Sequence, residues 1–383
     1  MEYLEKRKRG TEDKKMIKSK NKWVFALIMI LLLAGIITYT NNPKQQKDEI
    51  IKIGAILPLT GATAQYGESL RDGMELAKEE LEKKGLNLEI YYEDSAGDPK
   101  QAVSAYQNLK LKDTDIIVSA LSRSSMALVP IANNDKIPLI MTVVSAKIEK
   151  TPYVLRFYPN DTGYADAHFS VINTTKYKKI SVLYVNDEFG ISLKDAIKRN
   201  AKEKGIQVVY EEDFEPGTKD YRTILLKVKE TNPDAVMVVG ASPAEIIGPL
   251  KTMKELELNA DFFEIATALS IKSVRSQTDT EGAYTTAFPF VLSKSGNEFR
   301  EQYTQKYGKE PFFAAPFGYD IVNLISQATK GKKVSGEELL NNIYGLKTFN
   351  SSNEEIQIKE NGEINPALYS VKIVKGELEE VRA

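Results

Sequence analysis

Ser122-Arg123-Ser124-Ser125 sets three hydroxyls and a guanidinium within four residues, just beyond the apolar run Ile116–Ser119. A loop of this kind at the end of a strand suits an anion. Hydroxyls donate hydrogen bonds, and arginine presents a rigid fork that matches a carboxylate. The loop also opens a helical pattern near Met126, so Ser124 or Ser125 suits capping that helix as well as binding an anion at its N-terminus. Arg123 has the corresponding alternative of facing solvent. A second place of interest is the turn Pro58-Leu59-Thr60-Gly61, which ends the run Ile51–Leu57 and has Tyr66 just beyond it. It carries small and hydroxyl residues but no glycine pattern for cradling phosphate.

Catalysis finds no comparable set. The chain has one histidine, His168, which cannot build a metal cluster alone and is expected to be structural or at the surface. No serine sits in a G-x-S-x-G elbow, and neither a P-loop nor a G-x-G-x-x-G fingerprint occurs. Glu211-Glu212-Asp213 and Glu354-Glu355 read as solvated charge runs. Cysteine is absent, which excludes disulfides, thiolate metal sites and a cysteine nucleophile. The formal net charge of −1 gives no electrostatic case for nucleic acid. No catalytic residue, metal or cofactor is therefore expected.

The elements that must position these loops alternate along the chain. Expected strands are Ile51–Leu57, Leu88–Glu93, Ile116–Ser119, Leu139–Thr142, Ile180–Val185, Gln207–Phe214, Ala235–Val239, Asp261–Ile265 and Ala283–Thr286. Expected helices include Gln65–Lys84, Pro99–Leu111, Met126–Asn134, Ser192–Lys204, Tyr221–Thr231, Pro243–Leu256, Gly296–Tyr307 and Pro316–Thr329. Alternation of this kind implies α/β architecture with parallel sheets and right-handed crossovers. The set of elements from Ile51 is echoed from Ile180, which implies two similar lobes. Asn361-Gly362 between the alternating runs Glu354–Ile358 and Leu368–Val374 signals a hairpin.

With room for two packed cores in 383 residues, the chain from about Glu49 to Val381 resembles the leucine/isoleucine/valine-binding family of extracytoplasmic solute receptors. The resemblance rests on Ala64-Gln65-Tyr66-Gly67, Asp98-Pro99-Lys100-Gln101-Ala102-Val103, Arg123-Ser124-Ser125, Pro216-Gly217-Thr218-Lys219-Asp220-Tyr221 and Gly318-Tyr319-Asp320, in family order and spacing. It implies a type 1 periplasmic binding protein: two doubly wound lobes joined by a three-segment hinge. Crossings are expected near Phe157–Asp161, Thr286–Pro289 and Leu346–Ser351. Lobe 1 is then 49–158 and 288–348, and lobe 2 is 159–287 and 349–383.

The resemblance also implies a site. Lobe 1 would hold a solute carboxylate with Arg123, Ser124 and Ser125 on one loop and Thr142 and Ser145 on the next, and Tyr66 would line the cleft or pack on the first helix. In lobe 2 the corresponding positions are Phe189, Ser242 and Thr267. Amino-acid-binding members place an acid where this chain has Ala266-Thr267-Ala268. Losing a charge-assisted hydrogen bond costs about 1.5–3 kcal/mol. Either Asp187, Glu188 or Glu264 substitutes, or the solute is a small carboxylate or amide without an ammonium group.

The N-terminus bears on location. Trp23–Thr40 is uncharged, and its 18 residues would span about 27 Å as a helix, near the hydrocarbon thickness of a bilayer. Lysines and arginines precede it, which by the positive-inside rule puts 1–22 in the cytoplasm and 41–48 as an external tether. The alternative is a cleaved signal peptide. The expectation is thus a single-pass cell-membrane protein with an extracellular binding domain, anchored by this helix and handing a small-molecule solute to an ABC permease by hinge closure. A ligand-binding ectodomain of a sensory system acting through a partner is the alternative.

Overall fold

The computed structural model describes Met29 and residues 50–144, 151–172, 174–292 and 298–381. The chain divides into two units, Met1–Glu49 and Ile50–Ala383, and both large sheets belong to the second. The expected segments 1–22, 23–40 and 41–48 lie outside the described residues, Met29 excepted. Among the described residues no helix is long and apolar enough to cross a membrane. The longest one, α1 (Ala64–Lys83), buries Leu70, Met74, Ala77 and Leu81 against the sheet and turns lysines and glutamates outward. The expected single-pass membrane location is corrected accordingly.

Among the described residues, fifteen strands, numbered in chain order, and ten helices longer than one turn build the second unit. In its first half, β1 (Ile51–Leu57), α1, β2 (Leu88–Asp94), α2 (Pro99–Leu111), β3 (Ile116–Ala120), α3 (Val129–Asp135), β4 (Leu139–Thr142) and β5 (Val154–Phe157) follow one another. The second half repeats the theme with α4 (Asp161–Val171), β6 (Lys179–Val185), α5 (Glu188–Glu203), β7 (Gln207–Phe214), α6 (Arg222–Glu230), β8 (Ala235–Val239), α7 (Pro243–Glu255), β9 (Asp261–Glu264) and β10 (Tyr284–Ala287). Then come α8 (Glu298–Tyr307), α9 (Ala315–Thr329), α10 (Gly336–Leu346), β11 (Thr348–Asn350), β12 (Glu355–Gln357), β13 (Glu363–Ile364), β14 (Tyr369–Val374) and β15 (Glu377–Glu380).

The first sheet has the order β13-β5-β4-β3-β1-β2, and the second β15-β14-β10-β9-β8-β6-β7. Every pairing in the first sheet is parallel, whereas β14 and β15 join the second antiparallel. In β1, Ile51, Ile53, Ala55 and Leu57 face α1 and α9, while Ile56 packs with α2 on the other side. Burial on both faces is why these strands read as continuous apolar runs. In both sheets the winding reverses beside the first strand, between β1 and β3 and between β6 and β8. Ligands of open parallel sheets bind outside the strand ends at such reversals.

Helices α1 and α9 cross at van der Waals distance through two glycines. A Cβ on Gly73 would lie 1.9 Å from the Ala315 carbonyl oxygen, and one on Gly318 would lie 2.0 Å from that of Leu70. Gly318 of the Gly318-Tyr319-Asp320 motif is thus a packing residue. The motif beginning Asp98-Pro99 is a helix start: Asp98 accepts from the Lys100 and Gln101 N–H groups at 2.9 Å, with proline in the first turn.

Four expectations differ from the structure. The helix expected over Met126–Asn134 is broken into a turn (Ser122–Ser125), a 3₁₀ segment (Met126–Leu128) and α3, which leaves Pro130 in a first turn where its missing N–H is not needed. Strand β5 and helix α10 were not anticipated. The chain does turn at Asn361-Gly362, where Gly362 has a φ of +87° and Ile358 bridges Ile364 antiparallel across the turn, but the expected longer arms part: β12 pairs with β11, β13 with β5, and β14 with β10. The tail expected wholly in lobe 2 is therefore shared, and the third passage runs between Ile364 of the first sheet and Tyr369 of the second, not at Leu346–Ser351.

Candidate functional site

The two winding reversals face one another. On the first-lobe side, β3 is followed by Leu121, whose backbone (φ 68°, ψ 129°) is unusual for an L residue and turns the chain sharply into Ser122–Ser125. On the opposite side, β6 is followed by Asn186 and Asp187, and Asp187 caps α5 by accepting from Gly190 N at 2.9 Å. A cavity of about 520 Å³ lies between them, with Pro99 and Arg123 on one wall and Asp187, Glu188, Ser192 and Glu215 on the other.

The expected residues fall into three groups. Arg123 is exposed and lines this cavity. Burial pushes the Asp187 carboxyl up, and the Arg123 guanidinium is among the groups that pull it back down, so the two act on one another across the gap. Phe189, next in line on α5, packs against both major apolar clusters.

A second group sits at the hinge end. Tyr66 meets Tyr158 edge-on with ring centroids 6.5 Å apart, and Phe313 at 5.7 Å. The Tyr164 hydroxyl donates to that of Tyr158 at 3.1 Å. Burial first, and then the neighbouring Tyr158, raises the Tyr66 hydroxyl well above its ordinary value. Thr142, 2% exposed, lies beside Tyr66, and its hydroxyl draws the Tyr66 hydroxyl part of the way back down. Thr267 is buried and acts on the Tyr164 hydroxyl from lobe 2. Tyr66, Thr142 and Thr267 thus gather around Tyr158 and Tyr164, two residues that sequence reasoning missed. Recognition of β5 would have found Tyr158, because it follows the end of that strand.

The third group is turned inward or set apart. Ser124 Oγ donates to the Ala120 carbonyl at 2.9 Å, and Ser125 Oγ pairs with Ser119 Oγ at 2.6 Å, so both hydroxyls serve their own loop. Ser242 opens α7 in a capping box in which Glu245 accepts from the N–H groups of Ala241 and Ser242. Ser145 lies outside the described residues. Of the three acids considered as substitutes, Glu264 is consumed by its surroundings: its carboxylate accepts from Ala268 N, Leu269 N and Thr285 Oγ1. Asp187 and Glu188 remain at the cavity wall. The cavity offers positive charge from lobe 1 at Arg123, and a mostly acidic lobe 2 wall in which Arg199 is the basic member, while the aromatic cluster around Tyr158 lies outside its lining. Among the described residues no group of acids and histidine could hold a metal ion.

Known proteins share this organisation. The chain is 30% identical over 204 residues to the Leu/Ile/Val-binding protein BraC3 of Rhizobium johnstonii, covering 50% of this chain and 55% of that one. It is 28% identical over 246 residues to a leucine-, isoleucine-, valine-, threonine- and alanine-binding protein of Pseudomonas aeruginosa, covering 62% and 64%. The chain thus spans little more than half the length of the curated relatives it matches. Among solved structures, a leucine binding protein from Thermotoga maritima superposes with a TM-score of 0.77 at 22% identity, over 87% of this chain and 98% of that one. A solute binding protein from R. palustris in complex with benzoate superposes with a TM-score of 0.76 at 17% identity, over 87% and 96%. Both share the two-lobed fold described above. Residues 50–377 match the family described as periplasmic binding protein, and the chain belongs to that family.

Proposed function

We propose that this protein is the solute-binding component of an ABC-type importer. It would close its lobes around a branched-chain or other amino acid, or a related small carboxylate or amide, and present the closed form to a permease. The observation that carries this reading is the pairing of the two winding reversals across one cavity, with Arg123 opposite Asp187. A ligand spanning that gap touches both lobes, and so binds the closed state better than the open one. Differential affinity of this kind drives closure.

The chemistry of the walls narrows the solute. A carboxylate is suited to Arg123, and an ammonium group is suited to Asp187 and Glu188 at the end of β6. In this reading the acid has moved from the third parallel strand of lobe 2 to the first. The names of the relatives support an amino acid, while the benzoate-bound neighbour shows that the fold also accommodates an acid without an amine.

Thermal-shift titration of the purified protein with L-leucine, L-valine, benzoate and benzamide tests the reading. A ligand at about a hundred times its dissociation constant adds roughly 2.7 kcal/mol of stability, and the melting temperature should keep rising with concentration. No shift with any of these, and none with a wider set of small acids and amides, would remove the case for solute binding.

A further inference from the structure

Two loops of lobe 1 and two of the passages between lobes meet on one residue, Val144. Val144, buried just after β4, donates its N–H to Ser122 Oγ at 3.2 Å. Its carbonyl accepts from Asp161 N at 3.1 Å and from Arg156 Nη1 at 2.7 Å. The other arm of that guanidinium reaches Glu363 Oε1 at 2.9 Å. Ser122 opens the turn that carries Arg123. Asp161 begins α4 immediately after the first passage, and its carboxylate accepts from Ser192 Oγ of α5 at 3.0 Å. Glu363 lies in β13, immediately before the third passage.

Arg156 heads the fully buried side chains by volume, and Glu363 is 3% exposed. A buried ion pair is a weak source of stability, since apolar residues of similar volume often serve as well. What an apolar pair cannot do is point. The guanidinium is a planar fork whose two arms fix two partners at once, here a loop carbonyl and a hinge-strand carboxylate.

We infer that Arg156 is a positioning residue for solute binding: it holds the Val144 carbonyl, and with it the chain leaving β4 at Val143 and Val144, against β13, so that this segment and the hinge set one another's place. The inference rests on the solute-binding reading above. Lobe closure rotates the chain at its passages, and two of these are tied to the residue that also braces the Arg123 turn.

Hydrogen exchange on the full chain reads this without any ligand. Arg156→Lys keeps a cation for Glu363 but has one nitrogen where the fork has two arms. The double variant Arg156→Met, Glu363→Met removes both charges at similar volume and guards against an unpaired buried charge. In both variants the amides of 139–144 and 159–163 should exchange about tenfold faster or more, while β6 and β8 keep their protection. Unchanged protection in those two segments overturns the inference. Equal loss across both sheets also overturns it, because that marks a purely structural role.

Titration with L-leucine and with benzoate gives a second arm. Whichever binds the wild type should bind both variants about tenfold or more weakly, and equal affinity overturns the inference. A wild type that binds neither counts against the solute reading, and the exchange result then decides on Arg156 by itself.

Discussion

Thr285 donates its hydroxyl to Glu264 Oε2 at 2.7 Å beneath the end of β9, where Glu264 is fully buried. With Ala268 and Leu269 also donating to it, this carboxylate cannot turn toward a solute without abandoning its own loop. Its protonation nevertheless has a consequence. Burial raises Glu264 to about 7 in spite of those hydrogen bonds, and burial raises Asp320, bonded to Ser352, to about 8. A carboxyl whose folded pKa lies above its unfolded value binds its proton more tightly when folded. Its contribution is therefore fully present below the unfolded pKa, near 4–4.5, and is lost as pH rises through the folded pKa. The melting temperature should fall as pH rises from about 5 to 8, and level off above that. The effect from Glu264 is on the order of 3 kcal/mol. Calorimetry on wild type, Glu264→Gln and Asp320→Asn should show the first variant losing the part of the slope that ends near pH 7 and the second the part that continues to about pH 8. A wild-type melting temperature that rises through this window contradicts the assignment.

His168 should behave in the opposite sense. Its Nε2 lies 2.9 Å from the Glu264 carbonyl oxygen and its Nδ1 2.8 Å from Ser370 Oγ. A carbonyl only accepts, so Nε2 carries the proton and Nδ1 accepts from the serine. Burial lowers its pKa to about 4. A neutral buried imidazole adds stability above its unfolded pKa of about 6.5, and that stability is lost as pH falls toward 4. Because the chain has one histidine, its ring resonances are unambiguous by NMR. They should hold still from pH 8 to 5 and show the Nε2–H tautomer. A midpoint near 6.5 would place the ring in water instead.

Most of the fold was legible because its strands are buried on both faces: Ile51–Leu57 and Ala235–Val239 are apolar runs that alternate with amphipathic helices. Strand β5 escaped because Arg156 interrupts its run, and the partner that neutralises Arg156 is more than 200 residues away in β13. Strand β13 itself is two residues long and exists by virtue of its pairing with β5, so nothing local announces it. At the site, the loops were readable and the side-chain directions were not. Whether Ser124 Oγ faces a solute or the Ala120 carbonyl depends on the turn that Leu121 makes with its positive φ, and no residue type in that loop signals such a turn.

The glycine crossing of α1 and α9 leaves no room for a methyl group. Gly73→Ala sets a carbon 1.9 Å from the Ala315 carbonyl oxygen, a backbone atom that cannot swing aside. The helices must separate, and overpacking of this kind typically costs about 1–3 kcal/mol. Gly318→Ala should cost as much from the other side of the same contact. Because both substitutions force the same separation, the double variant should lose less than the sum of the two singles. Urea unfolding of the four proteins measures this, and strict additivity would mean that each helix yields locally.

Arg123 and Asp187 make a prediction that separates the two ends of the solute. If Arg123 receives a carboxylate, Arg123→Ala removes a charge-assisted bond worth about 1.5–3 kcal/mol, or roughly tenfold to a hundredfold in affinity. Benzoate and L-leucine should both weaken, while benzamide, which lacks the charge, should change little. Asp187→Asn preserves the cap on α5, because asparagine caps as well as aspartate does, and removes only the negative charge. It should weaken L-leucine, whose ammonium loses its partner, and should strengthen benzoate, which no longer approaches a like charge. The direct attraction between the two side chains is the smaller effect, since Arg123 is exposed and such pairs contribute about 0.2–1 kcal/mol. Isothermal titration of the three ligands against wild type and both variants resolves these signs. A loss of equal size for benzoate and benzamide in Arg123→Ala would mean that the arginine serves lobe contact and leaves the solute to other groups.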